Sequence, residues 1–199
     1  SRTGGPNVYI LNAANGDSLG LLDMTGVTGT GATFAINIVR VDASGVIYVN
    51  NLALANQTFR IYRWENETSV PSLAFEGTVT SRTGDSFGLS GSGMSTVLYA
   101  SGSGSSVIYR FVTSDGVSFT LDGTIPLTTA GLARGGISPI SSGTNSDLWV
   151  NGSGTPVSHI DAAGSIVAQI NTGVVSGSWY NLKYIQTSAG NKYVGVVGN

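Results

Sequence analysis

The chain has no cysteine and a single histidine, and only 10% of its residues are charged. Without cysteine there can be no disulfides and no thiolate metal sites. Zinc and iron lack their usual His and Cys ligands, and calcium lacks a dense run of oxygen donors. An average soluble domain carries roughly 25% charged residues, so solubility here must come from Ser, Thr, Asn and Gly. Lysine is confined to Lys183 and Lys192, and the net charge is −2. That balance leaves no basic footprint for nucleic acid or for an anionic membrane. Long apolar runs are missing too, so no helix is expected to span a membrane. No segment combines helical periodicity with caps. No signal peptide heads the chain, and both ends, at Ser1 and Asn199, read as cuts within a longer or processed sequence.

What is present is a succession of short β-branched and aromatic runs separated by Gly, Asn, Asp and Ser clusters. Residues 8–11, 19–24, 34–41, 46–51, 59–64, 72–79, 86–90, 96–101, 107–113, 119–126, 135–140, 147–151, 157–161, 166–171, 180–187 and 192–197 read as strands. The connectors Asp42-Ala43-Ser44-Gly45, Ser114-Asp115-Gly116 and Asp161-Ala162-Ala163-Gly164 pair a glycine able to take positive φ with an acid able to close the turn. Strands this short joined by hairpins indicate an all-β sandwich, barrel or propeller.

A repeat decides among these. "VIYVNN" (46–51), "VLYASG" (97–102), "DLWVNG" (147–152) and "KYVGVVGN" (192–199) fill one slot. "NVYILN" (7–12), "FRIYRW" (59–64), "SVIYRF" (106–111) and "PVSHID" (156–161) fill the next. A four-strand unit recurring roughly every 40–50 residues marks β-propeller blades, because one small twisted sheet cannot bury both faces alone. The expectation is therefore an all-β propeller of four-stranded antiparallel blades. A partial blade would cover 1–33, full blades about 34–85, 86–133 and 134–178, and a second partial blade 179–199. Either residues 8–24 pair with 180–197 to close a ring of about four blades, or the chain is part of a larger propeller.

The strings "SRTGGPNVYILNAANGDSLGLLDMTGVTG" (1–29), "FAINIVRVDASGVIYVNNL" (34–52) and "FRIYRW" (59–64) resemble a family of secreted bacterial propeller-like proteins of unknown function. The resemblance covers roughly the first 90 residues; beyond them only the strand rhythm matches. "YILNAANGDSLGLL" is also similar to the hairpin repeat of quinoprotein-like propellers, with "SHIDAAGSIVAQI" (158–170) as a worn second copy, but their quinone-binding residues have no counterpart. The resemblance implies a fold and a secreted context; it brings no substrate and no cofactor.

No catalytic, cofactor-binding or metal site is expected. His159 has Asp161 two residues on, on the same face of a strand, with Ser158 pointing the opposite way, so no Ser-His-Asp constellation is formed. The eleven acids fall mostly in turns, and nothing brings two together as a glycosidase requires. Arg2 and Arg82 sit in matching "SRTG" strings (1–4 and 81–84), where each can bind an anionic group or pair with a turn acid. Of the aromatics, Trp149 and Tyr109 are assigned to the core. Trp64, Trp179 and Tyr180 lie at strand edges and are assigned to contact with partners. Three sequons, at Asn56, Asn66 and Asn151, are short enough to arise by chance. These features point to a non-catalytic extracellular or cell-surface scaffold that meets copies of itself or another extracellular protein. The alternative is a lectin-like module, or a weak polysaccharide-acting enzyme, with glycans as partners.

Overall fold

The computed structural model describes residues 5–170, 179–190 and 192–198 of the chain, with the side chains of 179–181 and 192–198 left out of the description. Five antiparallel sheets follow one another along the sequence. β1 (Tyr9–Leu11) and β2 (Ser18–Leu21) form a hairpin. Three four-stranded meanders follow. The first is β3 (Phe34–Val41), β4 (Ile47–Leu52), β5 (Thr58–Trp64) and β6 (Ser72–Thr78). The second is β7 (Ser86–Ser90), β8 (Val97–Ser101), β9 (Val107–Thr113) and β10 (Phe119–Pro126). The third is β11 (Gly136–Pro139), β12 (Leu148–Asn151), β13 (Val157–Ile160) and β14 (Ile166–Ile170). β15 (Trp179–Gln186) and β16 (Lys192–Gly198) pair in a last hairpin. Among the described residues the one helical element is a 3-10 turn, Gly93–Ser95, and no helix is long and apolar enough to cross a membrane.

The sheets stack face to face in chain order, which explains why the second strand of each unit is apolar at nearly every position. Alternate residues of a strand point to opposite faces, and here both faces are covered. In β4, Tyr48 points into a core shared with the second meander through Phe87, Leu98, Tyr109 and Phe111. Its neighbours Ile47 and Val49 point the other way, into a core shared with Leu22, Val8 and Ile10 beside the β1–β2 hairpin. The second meander alternates likewise. Leu98 and Phe111 face the first meander, while Tyr99 and Ile108 face Leu148, Val150 and Ile160 of the third. Each large apolar side chain buried this way stabilises the fold by about 1.5–3 kcal/mol. Phe59, Phe75 and Phe111 form a ring cluster across the first interface, with centroids 4.6 Å apart for Phe75–Phe111 and 5.7 Å for Phe59–Phe111.

The first strands of successive units lie side by side: β3 touches β7, β7 touches β11, and β11 touches β15. The outermost strands are more exposed. Equivalent backbone bonds set the start of each unit. Thr33, Gly84 and Gly135 donate their N–H groups to the carbonyls of Leu52, Ser101 and Asn151 at the end of the second strand.

The ring closure that one of the two expectations required is not found among the described residues. Among the described residues, β1–β2 and β15–β16 remain separate two-stranded sheets, and no strand pairing joins 8–24 to 180–197. The hairpin β1–β2 instead lays Val8, Ile10 and Leu22 on the Ile47–Val49 and Tyr62–Trp64 face of the first meander.

One turn carries a pH expectation. Asp115 Oδ1 accepts backbone N–H bonds from Val117 and Ser118, both at 2.8 Å, and the Thr113 hydroxyl donates to it at 2.9 Å. The two backbone bonds lead in holding its carboxyl at about 2, below the ordinary 3.8. A depressed folded-state value means the stabilising contribution is complete above the ordinary aspartate range. It is lost as pH falls through that range toward about 2. A carboxyl carbon NMR titration should find Asp115 still ionised at pH 3. A midpoint at the ordinary aspartate value would refute the turn geometry.

Candidate functional site

The first strands of four units border one cleft of about 280 Å³, lined by Arg40 and Val41 of β3, Leu89 of β7, Ile137, Ser138 and Pro139 of β11, and Leu182 and Lys183 of β15. Its construction follows from the repeat. Val41, Leu89 and Pro139 occupy the same register position, opposite Ile47, Leu98 and Leu148 in the strand alongside. They form an apolar rim of equivalent parts. The residue just before each, opposite the aromatic Tyr48, Tyr99 or Trp149, is where the units differ: Arg40, Gly88 and Ser138. Gly88 is required by close approach, since a Cβ there would sit 2.8 Å from the Ile137 side chain. Ser138 uses its hydroxyl to accept the Tyr184 N–H at 2.8 Å, tying β15 to β11.

The cleft is cationic. Arg40 is half-buried on β3 and donates from Nη1 to the Val39 carbonyl at 2.9 Å. Burial pushes its guanidinium below the usual range, yet an arginine remains charged at neutral pH. Lys183 is exposed at the rim. Among the described residues no carboxylate lines the cleft. The acids are engaged elsewhere: Glu76 with Arg60, Glu65 with Arg63, Asp85 with Arg82, Asp122 with Arg110 and Asp147 with His159. Asp42, Asp115 and Asp161 close turns. Among the described residues no cluster of His, Cys, Asp and Glu could hold a metal ion.

Sequence reasoning missed Arg40 and Lys183. The signal available was the slot itself: aligning the repeats sets Arg40 against Gly88 and Ser138, a cation where the other units carry small residues. Nothing local says that Lys183 reaches the same place.

The residues singled out from the sequence lie elsewhere. Trp64 is not a contact residue. It is fully buried, and its Nε1 donates to the Asp23 carbonyl at 2.7 Å. It ends β5 as the sequence suggests, but the chain before β3 returns across it. Arg82 forms a two-pronged pair with Asp85, at 2.6 and 2.7 Å, and Ser103 N–H donates to the same carboxylate. Burial works to raise the Asp85 carboxyl, but these donors outweigh it and hold it below the usual range. Arg2 lies outside the described residues, as do the side chains of Trp179 and Tyr180 on β15. Tyr109 is buried as expected, and its hydroxyl accepts the Thr80 and Ser81 N–H groups. Trp149 is only half-buried, and its ring stacks on His159 with centroids 5.2 Å apart.

His159 bonds through Nε2 to Asp147 at 2.9 Å rather than to Asp161, which lies past the end of β13 and closes the following turn. Ser158 points its hydroxyl at the Pro156 carbonyl and accepts a bond from Gln169. The repeat gives the imidazole a structural reading. Tyr48 opposes Arg63, Tyr99 opposes Arg110 and Trp149 opposes His159, so His159 fills the cation position of a recurring aromatic–cation cross-strand pair. Of the sequon asparagines, Asn151 is fully buried and Asn56 holds the left-handed turn position at φ 65°.

No family model and no curated protein matches the chain. Among solved structures it is similar to a DUF4623 family protein from Bacteroides eggerthii, with a TM-score of 0.70 at 17% identity. The match covers 94% of this chain and 44% of that one, so the chain spans less than half the length of this neighbour. At that identity the likeness is one of fold, and the neighbour's family is one of unknown function.

Proposed function

We propose that the chain is a non-catalytic extracellular interaction module whose sheets are propeller blades and which associates with copies of itself through a sheet face. The observation that carries this reading is the outer face of β1–β2. Tyr9 and Leu21 oppose each other there, with Leu11 and Leu19 beside them, and their exposures are 62%, 48%, 58% and 64%. The opposite face of the same hairpin is buried against the first meander. Within the chain, each face of the first two meanders is covered by another sheet. The outer face of β1–β2 has the same chemistry and, among the described residues, no such cover, and a contiguous apolar patch of this kind marks an interaction site. A second copy is the favoured occupant, because sheets of this chain already pack on one another and a net charge of −2 opposes association only weakly. The chain-order stack, with first strands adjacent, supports blades over a two-layer sandwich.

Sedimentation velocity across a wide concentration range should show a dimer or larger species. The double variant Leu11→Lys, Leu21→Lys should run as a monomer with an unchanged circular dichroism spectrum, since lysines facing their counterparts would repel. Wild-type protein that stays monomeric at the highest concentrations would overturn the reading.

A further inference from the structure

We infer that Asn66 is an acceptor site for an N-linked glycan, its co-substrate being an oligosaccharide carried on a lipid diphosphate. The inference rests on the extracellular reading proposed above and takes no support from the β1–β2 face.

The three Asn-x-Ser/Thr strings, at Asn56, Asn66 and Asn151, are alike in sequence. The structure separates them. A glycan is bulky and solvated, so the asparagine that carries it must stand on the surface. Asn151 is fully buried at the end of β12, which rules it out. Asn56 is exposed, but its hydroxyl partner Thr58 is the first residue of β5 and half-buried. The Thr58 N–H donates to the Gly31 carbonyl at 2.8 Å, and Thr58 pairs with Thr78 across the sheet. Presenting that string to an enzyme means prising Thr58 from its strand.

Asn66-Glu67-Thr68 lies wholly in the turn between β5 and β6, with all three residues exposed. The turn is closed by its own polar groups. Ser69 N–H donates to the Asn66 carbonyl at 3.2 Å, and Asn66 N–H donates to the Ser69 hydroxyl at 3.1 Å. Inside it the Thr68 hydroxyl donates to Asn66 Oδ1 at 2.8 Å, and the Thr68 N–H donates to the same oxygen at 3.0 Å. Both bonds fall on the amide oxygen, and among the described residues Nδ2 is left to solvent. Donation to the oxygen draws electron density from the nitrogen, which eases the loss of its proton. Transfer forms a bond from Asn66 Nδ2 to the anomeric carbon of the sugar. The bond from that carbon to the lipid diphosphate breaks, its electron pair stays on the diphosphate, and one proton leaves Nδ2. Nothing is oxidised or reduced.

The test is secretion of the chain from a eukaryotic cell, followed by intact-mass analysis and glycopeptide mapping before and after peptide N-glycosidase. A cleavable leader brings the chain to the transferase whatever its native compartment, so this result is independent of the extracellular reading. The secreted protein should lose the mass of one glycan on digestion, with Asn66 alone converted to aspartate. Thr68→Ala should abolish the glycan, and Thr68→Ser, which keeps the hydroxyl, should retain it. Asn56→Gln should leave it unchanged. Since Nδ2 holds no part of the fold, the glycosylated and digested forms should melt at nearly the same temperature. Should Thr68→Ala fail to fold, Asn66→Gln removes the acceptor atom in its place. The inference falls if the folded, secreted protein carries no glycan at Asn66, if Asn56 is modified instead, or if Thr68→Ala leaves the occupancy unchanged.

Discussion

Trp64→Ala is expected to destabilise the protein by about 3–5 kcal/mol, the usual range for emptying a large aromatic site in a packed core. For a chain of this size that corresponds to a fall in melting temperature of roughly 10 °C or more. Trp64 is fully buried among Leu22, Ile47, Val49 and Tyr62, with the Tyr62 ring 6.4 Å away. Two effects add. The lost side chain leaves a cavity that neighbours on two sheets cannot both collapse into. The Asp23 carbonyl loses the indole N–H that satisfies it at 2.7 Å, worth about 1 kcal/mol more. Trp64→Phe keeps most of the volume and gives up the hydrogen bond, so its cost should be about half. Because this core attaches β1–β2 to the first meander, hydrogen exchange at Ile10 and Gly20 should speed up more than exchange in the third meander. Thermal or urea unfolding measures the first effect. A loss under about 1 kcal/mol would mean that Trp64 is a surface contact residue after all.

Gly164→Ala should cost about two to three times as much as Gly45→Ala, although the two turns are nearly the same in sequence and in local bonding. Both read Asp-x-x-Gly. In each, the glycine N–H returns to the aspartate carbonyl, at 3.1 Å for Gly45 and 3.0 Å for Gly164. In each, the aspartate Oδ1 accepts two further backbone N–H groups. The φ angles are +88° and +90°. A side chain at either position carries a left-handed penalty of about 1–2 kcal/mol. The surroundings separate them. Gly45 faces open space, whereas a Cβ on Gly164 would run into the Pro126 carbonyl at the end of β10. Relieving that collision means moving the third meander's turn off the second meander, which adds about 1–3 kcal/mol. Comparing the two variants by denaturant unfolding isolates the tertiary term, since the local strain cancels. Equal losses would show that the turn does not press on β10.

The sequence by itself determined the class of structure. Apolar runs too short for helices, Asp–Gly turns between them and a repeat of roughly 50 residues leave antiparallel meanders as the consistent outcome. The unbroken apolar character of "VIYV" already requires both faces of β4 to be covered. These are local properties: strand period, turn chemistry and spacing are written in neighbouring residues. Only the tertiary structure decided which apparently equivalent residues are not equivalent. It buried Trp64 under the returning chain before β3, set Gly164 against Pro126 while leaving Gly45 open, joined His159 to Asp147 instead of Asp161, and brought Arg40 to the same cleft as Lys183. Each of those outcomes depends on how one sheet lies on the next. That packing is set by side chains far apart in the chain, whose distances no repeat pattern encodes.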